Sequence, residues 1–222
     1  MASVPPSSVV TSVQLNDADV TVMLSAGRSV RVQECKTNSW EGGAVWPPAL
    51  LLAEYLDTQR LVDLTACRVL ELGAGCGVVG LVASRLGAKS VTLTDLAVAL
   101  PTLSHNVGMN AECRFVTVCE LDWRTQSAVE SHDLIIASEC IYDADMAEPL
   151  LRTMHRASAA ETVGLLAGII GGAALDAFRK HASAFFEDVA LLPPFREGDA
   201  ELPASRGVHM LKRPRPQVNS HR

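Results

Sequence analysis

Residues 69–80 read VLELGAGCGVVG. An apolar run breaks into glycines and then resumes as an apolar segment, the pattern of a strand that turns through a nucleotide-binding loop into a helix. Gly75, Gly77 and Gly80 satisfy the G-x-G-x-x-G spacing of dinucleotide sites. No Gly-Lys-Ser/Thr follows, which removes the triphosphate-loop reading. Gly73, Gly75 and Gly77 alternate directly after the strand, with Ala74 between the first two, and permit a tight turn with close approach of backbone to ligand. Asp95 ends the next apolar run, VTLTD, about twenty residues further on. An acid there accepts hydrogen bonds from ribose hydroxyls, a device shared by dinucleotide and adenosylmethionine enzymes. Glu71 precedes the first glycine, where a carboxylate can hold the loop's amides or face a methionine ammonium group. The resulting E-x-G-x-G-x-G form tilts the choice toward S-adenosylmethionine.

Later residues carry the choice further. ELDW places Asp122 and Trp123 after a third strand, an acid for the amino hydrogens of adenine and an indole to flank its ring. DLIIASECIYD ends a fourth strand with Ser138, Glu139 and Tyr142 at its C-terminal tip, where open parallel sheets place their ligands. A carboxylate and a phenol there would stand beside a transferred methyl group and orient an incoming amine. A nicotinamide oxidoreductase is the rival that the glycine spacing allows, but the Tyr-x-x-x-Lys pair of one large dehydrogenase family is missing. The six histidines form no close pair with metal-ligand spacing, and no G-x-S-x-G elbow supports a hydrolase. No metal is expected.

The elements that must position these groups alternate strand and helix from Arg68 onward. RVLEL leads into the glycine turn and a helix with Val79, Val82 and Leu86 on one face. SVTLTD leads into a helix with Leu96, Leu100, Leu103 and Val107 at i, i+4, i+7 and i+11. RFVTVCEL and DLIIASE follow, then a helix carrying Ala147, Leu150, Leu151 and Met154. TVGLLAGII precedes an amphipathic helix, LDAFRKHASAFF, and two closing strands, EDVALL and GVHMLK. Continuous apolar strands alternating with helices imply a parallel sheet covered on both faces, and the last two strands an antiparallel edge. Upstream, ADVTVMLSAGRSVRVQE reads as a β-hairpin turning at Ala26-Gly27, and AVWPPALLLAEYL as a helix entered through Pro47-Pro48.

The chain has 222 residues, 48% hydrophobic and 20% charged, which suits one domain with a real core. A net charge of -6 argues against a nucleic-acid-binding body. Cysteines at 35, 67, 76, 113, 119 and 140 contain no C-x-x-C and read as reduced thiols of an intracellular protein. No basic residue precedes Arg28 and no apolar run is long enough for a bilayer, so we expect a cytoplasmic protein without a membrane segment, working as a monomer. Residues 1–12 are expected to fray and 13–212 to form a single domain. The basic run 213–222 is expected to lie outside it as a disordered tail, with nuclear entry as its functional reading. LLPPFREGD, 191–199, reads as a loop that could meet a protein target.

Together, AVWPPALLLAEYL, the glycine motif with VTLTD, LPTLSHNVGMN, ELDW and DLIIASECIYD resemble, in order and spacing, the METTL21-like enzymes of methyltransferase family 16. The resemblance runs from about residue 30 to 212. It implies an α/β fold: a seven-stranded, Rossmann-like class I methyltransferase sheet with an N-terminal β-hairpin extension. It implies S-adenosylmethionine as cofactor and a protein lysine as acceptor, the alternatives being histidine, arginine or a small amine as acceptor, or a catalytically silent donor-binding scaffold. It further implies that Trp46 lies over the donor and that Gly73, Ala74, Gly75 and Gly77 hold its methionine end, with Glu71 beneath. Asp95, with Leu96 beside it, would bind the ribose, Asp122 and Trp123 would flank the adenine, and Ser138 would line the pocket. Glu139 and Tyr142 stand where the family carries Asp-x-x-Tyr, with Glu one methylene longer than Asp.

Overall fold

Arg68–Leu72 (β4) is apolar on both faces and inaccessible from Val69 to Leu72, so it must lie inside a sheet rather than at its edge. The computed structural model, which describes residues 13–16, 19–35, 41–59, 61–125, 128–169, 171–192 and 206–216, places it there. A seven-stranded sheet runs β6-β5-β4-β7-β8-β10-β9, formed by Ser90–Asp95 (β5), Val116–Glu120 (β6), His132–Ser138 (β7), Ser158–Ile169 (β8), Phe186–Leu191 (β9) and Arg206–Pro214 (β10). The β6-β5-β4-β7-β8 portion is parallel, and β10 inserts antiparallel between β8 and β9. Strand order reverses between β4 and β7. That reversal opens a crevice at the C-terminal ends of β4, β5 and β7, where such sheets take ligands.

The expected hairpin is Asp19–Met23 (β2) against Ser29–Gln33 (β3), and a third strand that the sequence pattern did not announce, Val13–Asn16 (β1), pairs outside β2. Val20, Val22, Val30 and Val32 alternate inward and join one apolar core with β4 and Val78–Arg85 (α2). Pro47–Thr58 (α1) begins on its two prolines, buries Leu52, Ala53 and Leu56, and packs on α2. Its Asp57, buried, accepts hydrogen bonds from the Ser25 amide and hydroxyl, both at 2.6 Å, tying the small sheet to the helix. Ala144–Arg156 (α4) and Gly172–Phe185 (α5) cover the opposite face with Leu150, Leu151, Met154 and Phe178.

Two expectations change. The helix after β5, Leu100–Gly108 (α3), starts four residues later than the apolar spacing suggested, behind a short 3-10 turn over Ala97–Ala99. Pro101 in its first turn sets the start, and Leu96 stands outside the helix and exposed instead of on its core stripe. The fold also continues past 212. Pro214 pairs with Phe186, Arg213 makes a two-pronged ion pair with Asp188 at 2.7 and 2.6 Å, and the Arg215 amide donates to the Phe185 carbonyl at 2.8 Å. Residues 1–12, the remainder of the tail from 217 and most of the 191–199 loop lie outside the described residues. Among the described residues no helix is long and apolar enough to cross a membrane, and no cluster of His, Cys, Asp and Glu could hold a metal.

Candidate active site

A cavity of about 640 Å³ opens at the C-terminal ends of β4, β5 and β7, within the size range of small-molecule sites. Its floor is the turn from β4 into α2. The backbone there is left-handed at Gly73, and a side chain at that position would strike the Cys140 thiol and the Trp123 ring. Gly80 is required for a different reason. It lies against Leu93, and a Cβ would sit 2.6 Å from the Glu71 carboxylate that caps its amide. The third glycine of the dinucleotide-like spacing thus serves helix–strand packing.

The loop's own amides are the informative feature. The Ala74 amide donates to the Thr94 carbonyl at 2.9 Å and the Gly77 amide to the Ala74 carbonyl at 2.7 Å. The Gly75 amide donates to Asp95 Oδ2 and the Gly80 amide to Glu71 Oε2, both at 2.8 Å. Asp95 therefore occupies a cavity-lining amide that a pyrophosphate would need, while the Gly80 amide lies behind the lining. Asp95 also accepts from the Leu96 amide at 2.7 Å. Burial pushes the Glu71 carboxyl up to about 8, against the pull of the Gly80 amide, and raises Asp95 above its ordinary value against the Gly75 and Leu96 amides.

The walls assemble the residues expected from the sequence. Trp46, Glu71, Gly73, Ala74, Gly75, Asp95, Leu96, Asp122, Trp123, Ser138, Glu139 and Tyr142 all line the cavity. Gly77 does not. It caps α2 in a left-handed conformation, and a side chain there would meet Leu103, so its role is to shape the turn. Glu71 is inaccessible beneath the loop, where it holds the Gly80 amide, the first of the two roles open to it. Trp123 packs partly on the second apolar cluster while its ring faces Gly73, so it is at once core and wall. At the rim, Trp46 is 44% and Tyr142 69% exposed, a mouth with aromatic sides. Between them Glu139 holds a left-handed backbone, φ 52°, with its amide tied to the Ala167 carbonyl on β8 at 2.8 Å. A non-glycine residue in that conformation marks a strained, over-determined position of the kind that clusters at active sites.

Some lining residues had no sequence signal that we used. Arg124 follows the ELDW motif and binds Asp122 through two side-chain bonds, each 2.8 Å, which holds the Asp122 carboxyl below the usual range. Gly42 and Val45 of the EGGAVW segment close the side next to Trp46, and Met146 of α4 stands near Tyr142 in the lining. The cavity's two thiols are no nucleophiles. Burial pushes Cys76 up to about 12 and Cys140 higher still.

Comparison with known proteins agrees with this arrangement. Residues 25–190 match the family described as lysine methyltransferase (Methyltransf_16). The protein N-lysine methyltransferase METTL21A of Danio rerio is 35% identical over 147 residues, 64% of this chain and 66% of that protein. The EEF1A lysine methyltransferase 3 of Xenopus tropicalis is 34% identical over 133 residues, 58% of each. The chain thus spans less than two thirds of the length of these two relatives. Among solved structures, the 16S rRNA N2 G1207 methyltransferase RsmC of T. thermophilus superposes with a TM-score of 0.66 at 19% identity, covering 88% of this chain and 50% of that one, a likeness of fold. By the extent of the match over 25–190, the chain belongs to the lysine methyltransferase family.

Proposed function

We propose that this chain is an S-adenosylmethionine-dependent protein-lysine N-methyltransferase. The observation that carries the choice of cofactor is the Gly75 amide, which lines the cavity and is already held by Asp95. A dinucleotide's pyrophosphate would find no free hydrogen-bond donor there and would face the Asp95 carboxyl instead. The residues present fit S-adenosylmethionine. Asp95 at the tip of β5 offers oxygens to ribose hydroxyls, Trp123 a flat wall with Asp122 beside it for adenine, and the Gly73–Gly75 turn room for the methionine end. Bound there, S-adenosylmethionine supplies a methyl group on a sulfonium, open to in-line displacement.

The chain's own work is then positioning, which supplies most of the rate of such a transfer. A lysine has a pKa near 10.4 and arrives protonated. A carboxylate alone would raise that value, while removal from water would lower it. Glu139 and Tyr142 orient the amine, the aromatic mouth at Trp46 and Tyr142 receives the aliphatic stem and its charge, and the proton leaves to water. Relatives named for lysine methylation of proteins, one of them for EEF1A, support a protein acceptor. We read the enzyme as a monomer at work in the cytoplasm, where free thiols such as the exposed Cys119 persist.

Calorimetric titration with S-adenosylmethionine, and with NADH in parallel, tests the cofactor. Heat with the first alone is expected. Heat with NADH alone would overturn the roles given to Glu71, Asp95 and Trp123 together.

A further inference from the structure

A side chain of α3, Asn106, joins the small N-terminal sheet to the donor loop, and nothing in the proposed chemistry accounts for it. Among the described residues, the outer edge of β3 has no strand beside it. In an antiparallel strand, alternate residues turn both N–H and C=O to the same side, and on this side they are those of Arg31 and Gln33. Two asparagines of the α3 region meet them. Asn106 Oδ1 accepts from the Gln33 amide at 2.9 Å, and its Nδ2 donates to the Gln33 carbonyl at 3.1 Å. Asn110 Oδ1 accepts from the Arg31 amide at 2.9 Å, and its Nδ2 donates to the Arg31 carbonyl at 2.6 Å. The spacing matches: four residues of helix rise about 6 Å and two residues of strand about 6.6 Å. Two carboxamides thus stand in for a strand.

Each asparagine makes one bond more. Asn110 Nδ2 also donates to the Asn106 carbonyl at 2.7 Å, while Asn106 Nδ2 also donates to the Cys76 carbonyl at 2.9 Å, in the middle of the glycine turn, and the Asn106 side chain is fully buried. The end of the same strand holds the other wall. Glu34 Oε1 accepts from the Val45 amide at 2.7 Å, the Cys35 amide donates to the Gly43 carbonyl at 2.8 Å, and the segment so fixed runs into Trp46. Gly42 of that segment lies close enough to Gly75 that its carbonyl would meet a Cβ there at 2.7 Å.

We propose that Asn106 is a positioning residue for donor binding, the joint through which the N-terminal sheet sets the glycine turn. The inference rests on the donor reading above. The turn, held from the sheet side at Ala74 and Gly75, is held at Cys76 by a group that is itself held at Gln33. Ordering of β3 and ordering of the donor site are therefore linked, and each favours the other.

Asn106→Asp and Asn110→Asp separate this role from plain stability. Each replaces a donating amide by an oxygen facing carbonyls, but only the first touches the turn. Asn106→Asp is expected to weaken S-adenosylmethionine binding about tenfold by calorimetry, and Asn110→Asp, which loosens β3 but leaves the Cys76 bond in place, to lower Tm and weaken binding by no more than about threefold. Equal weakening by both, or by neither, overturns the proposal. Should Asn106→Asp fail to fold, hydrogen exchange on the wild type decides. Slower exchange of the Arg31 and Gln33 amides on adding S-adenosylmethionine is expected, and protection confined to 71–80, 95–96 and 122–123 overturns it. A wild type that gives no heat with S-adenosylmethionine overturns the donor reading, and this inference with it. Heat without protection of β3 overturns this inference alone.

Discussion

Replacing Glu71 by Gln should change how stability depends on pH. Glu71 is 1% exposed, and burial raises its carboxyl from 4.5 to about 8. A group whose folded pKa is raised holds its proton in the native state at a pH where the unfolded chain has released it. Its favourable contribution is complete below the unfolded value and is lost as pH rises through the folded one. Between pH 5 and pH 8 this one group should remove about 3.5 kcal/mol of stability, on the order of a third of a typical domain's total. Gln keeps the shape and still accepts from the Gly80 amide, but it does not titrate. Urea unfolding at pH 5, 6, 7 and 8 measures the difference directly. The two curves should lie closest at pH 5, where both side chains are neutral in the native state, and by pH 8 the wild-type curve should have fallen by about 3.5 kcal/mol more than that of Glu71→Gln. Parallel curves, agreeing within about 1 kcal/mol across the range, would show that Glu71 is ionised in the native state and refute the reasoning from burial.

Other perturbations follow from the same geometry. Gly80→Ala puts a methyl group against Leu93 and the Glu71 carboxylate, so thermal unfolding should show a loss of about 1–3 kcal/mol. Asp57→Ala leaves the half-buried Ser25 amide and hydroxyl without their buried acceptor and should cost about 1–3 kcal/mol, with the N-terminal sheet exchanging its amides first. Glu139→Ala should bind S-adenosylmethionine with little change while methyl transfer falls by roughly 100-fold or more; transfer at the wild-type rate would remove Glu139 from the mechanism. Glu139→Asp should keep transfer, since Asp enters the left-handed region readily and carries the same charge one methylene back.

The sheet was legible because its strands are short continuous apolar runs, and the turn because three glycines alternate directly behind β4. Most of the site follows from those two facts, because a parallel sheet sends every strand's C-terminal tip to one edge. Leu96 misled because apolar spacing carries on through a 3-10 turn as it does through a helix, and only Pro101 marks the true start. Gly77 was grouped with the ligand-binding glycines because spacing alone does not tell a glycine that faces the cavity from one that caps a helix. Asn106 and Asn110 left no mark, since a carboxamide bonded to the backbone of a strand some seventy residues away has no periodicity. The pairing of Arg124 with Asp122 and the left-handed backbone at Glu139 are likewise products of tertiary packing.

The central claim is that a methyl group passes from S-adenosylmethionine to a lysine side chain at Glu139 and Tyr142. Incubating the protein with methyl-labelled S-adenosylmethionine and a cell extract, then hydrolysing the labelled protein and identifying the modified amino acid, tests it most directly. The account predicts N-methyl-lysine with wild-type protein and none with Glu139→Ala. Label recovered as methyl-histidine or methyl-arginine, or an equal yield of methyl-lysine from both proteins, would contradict it.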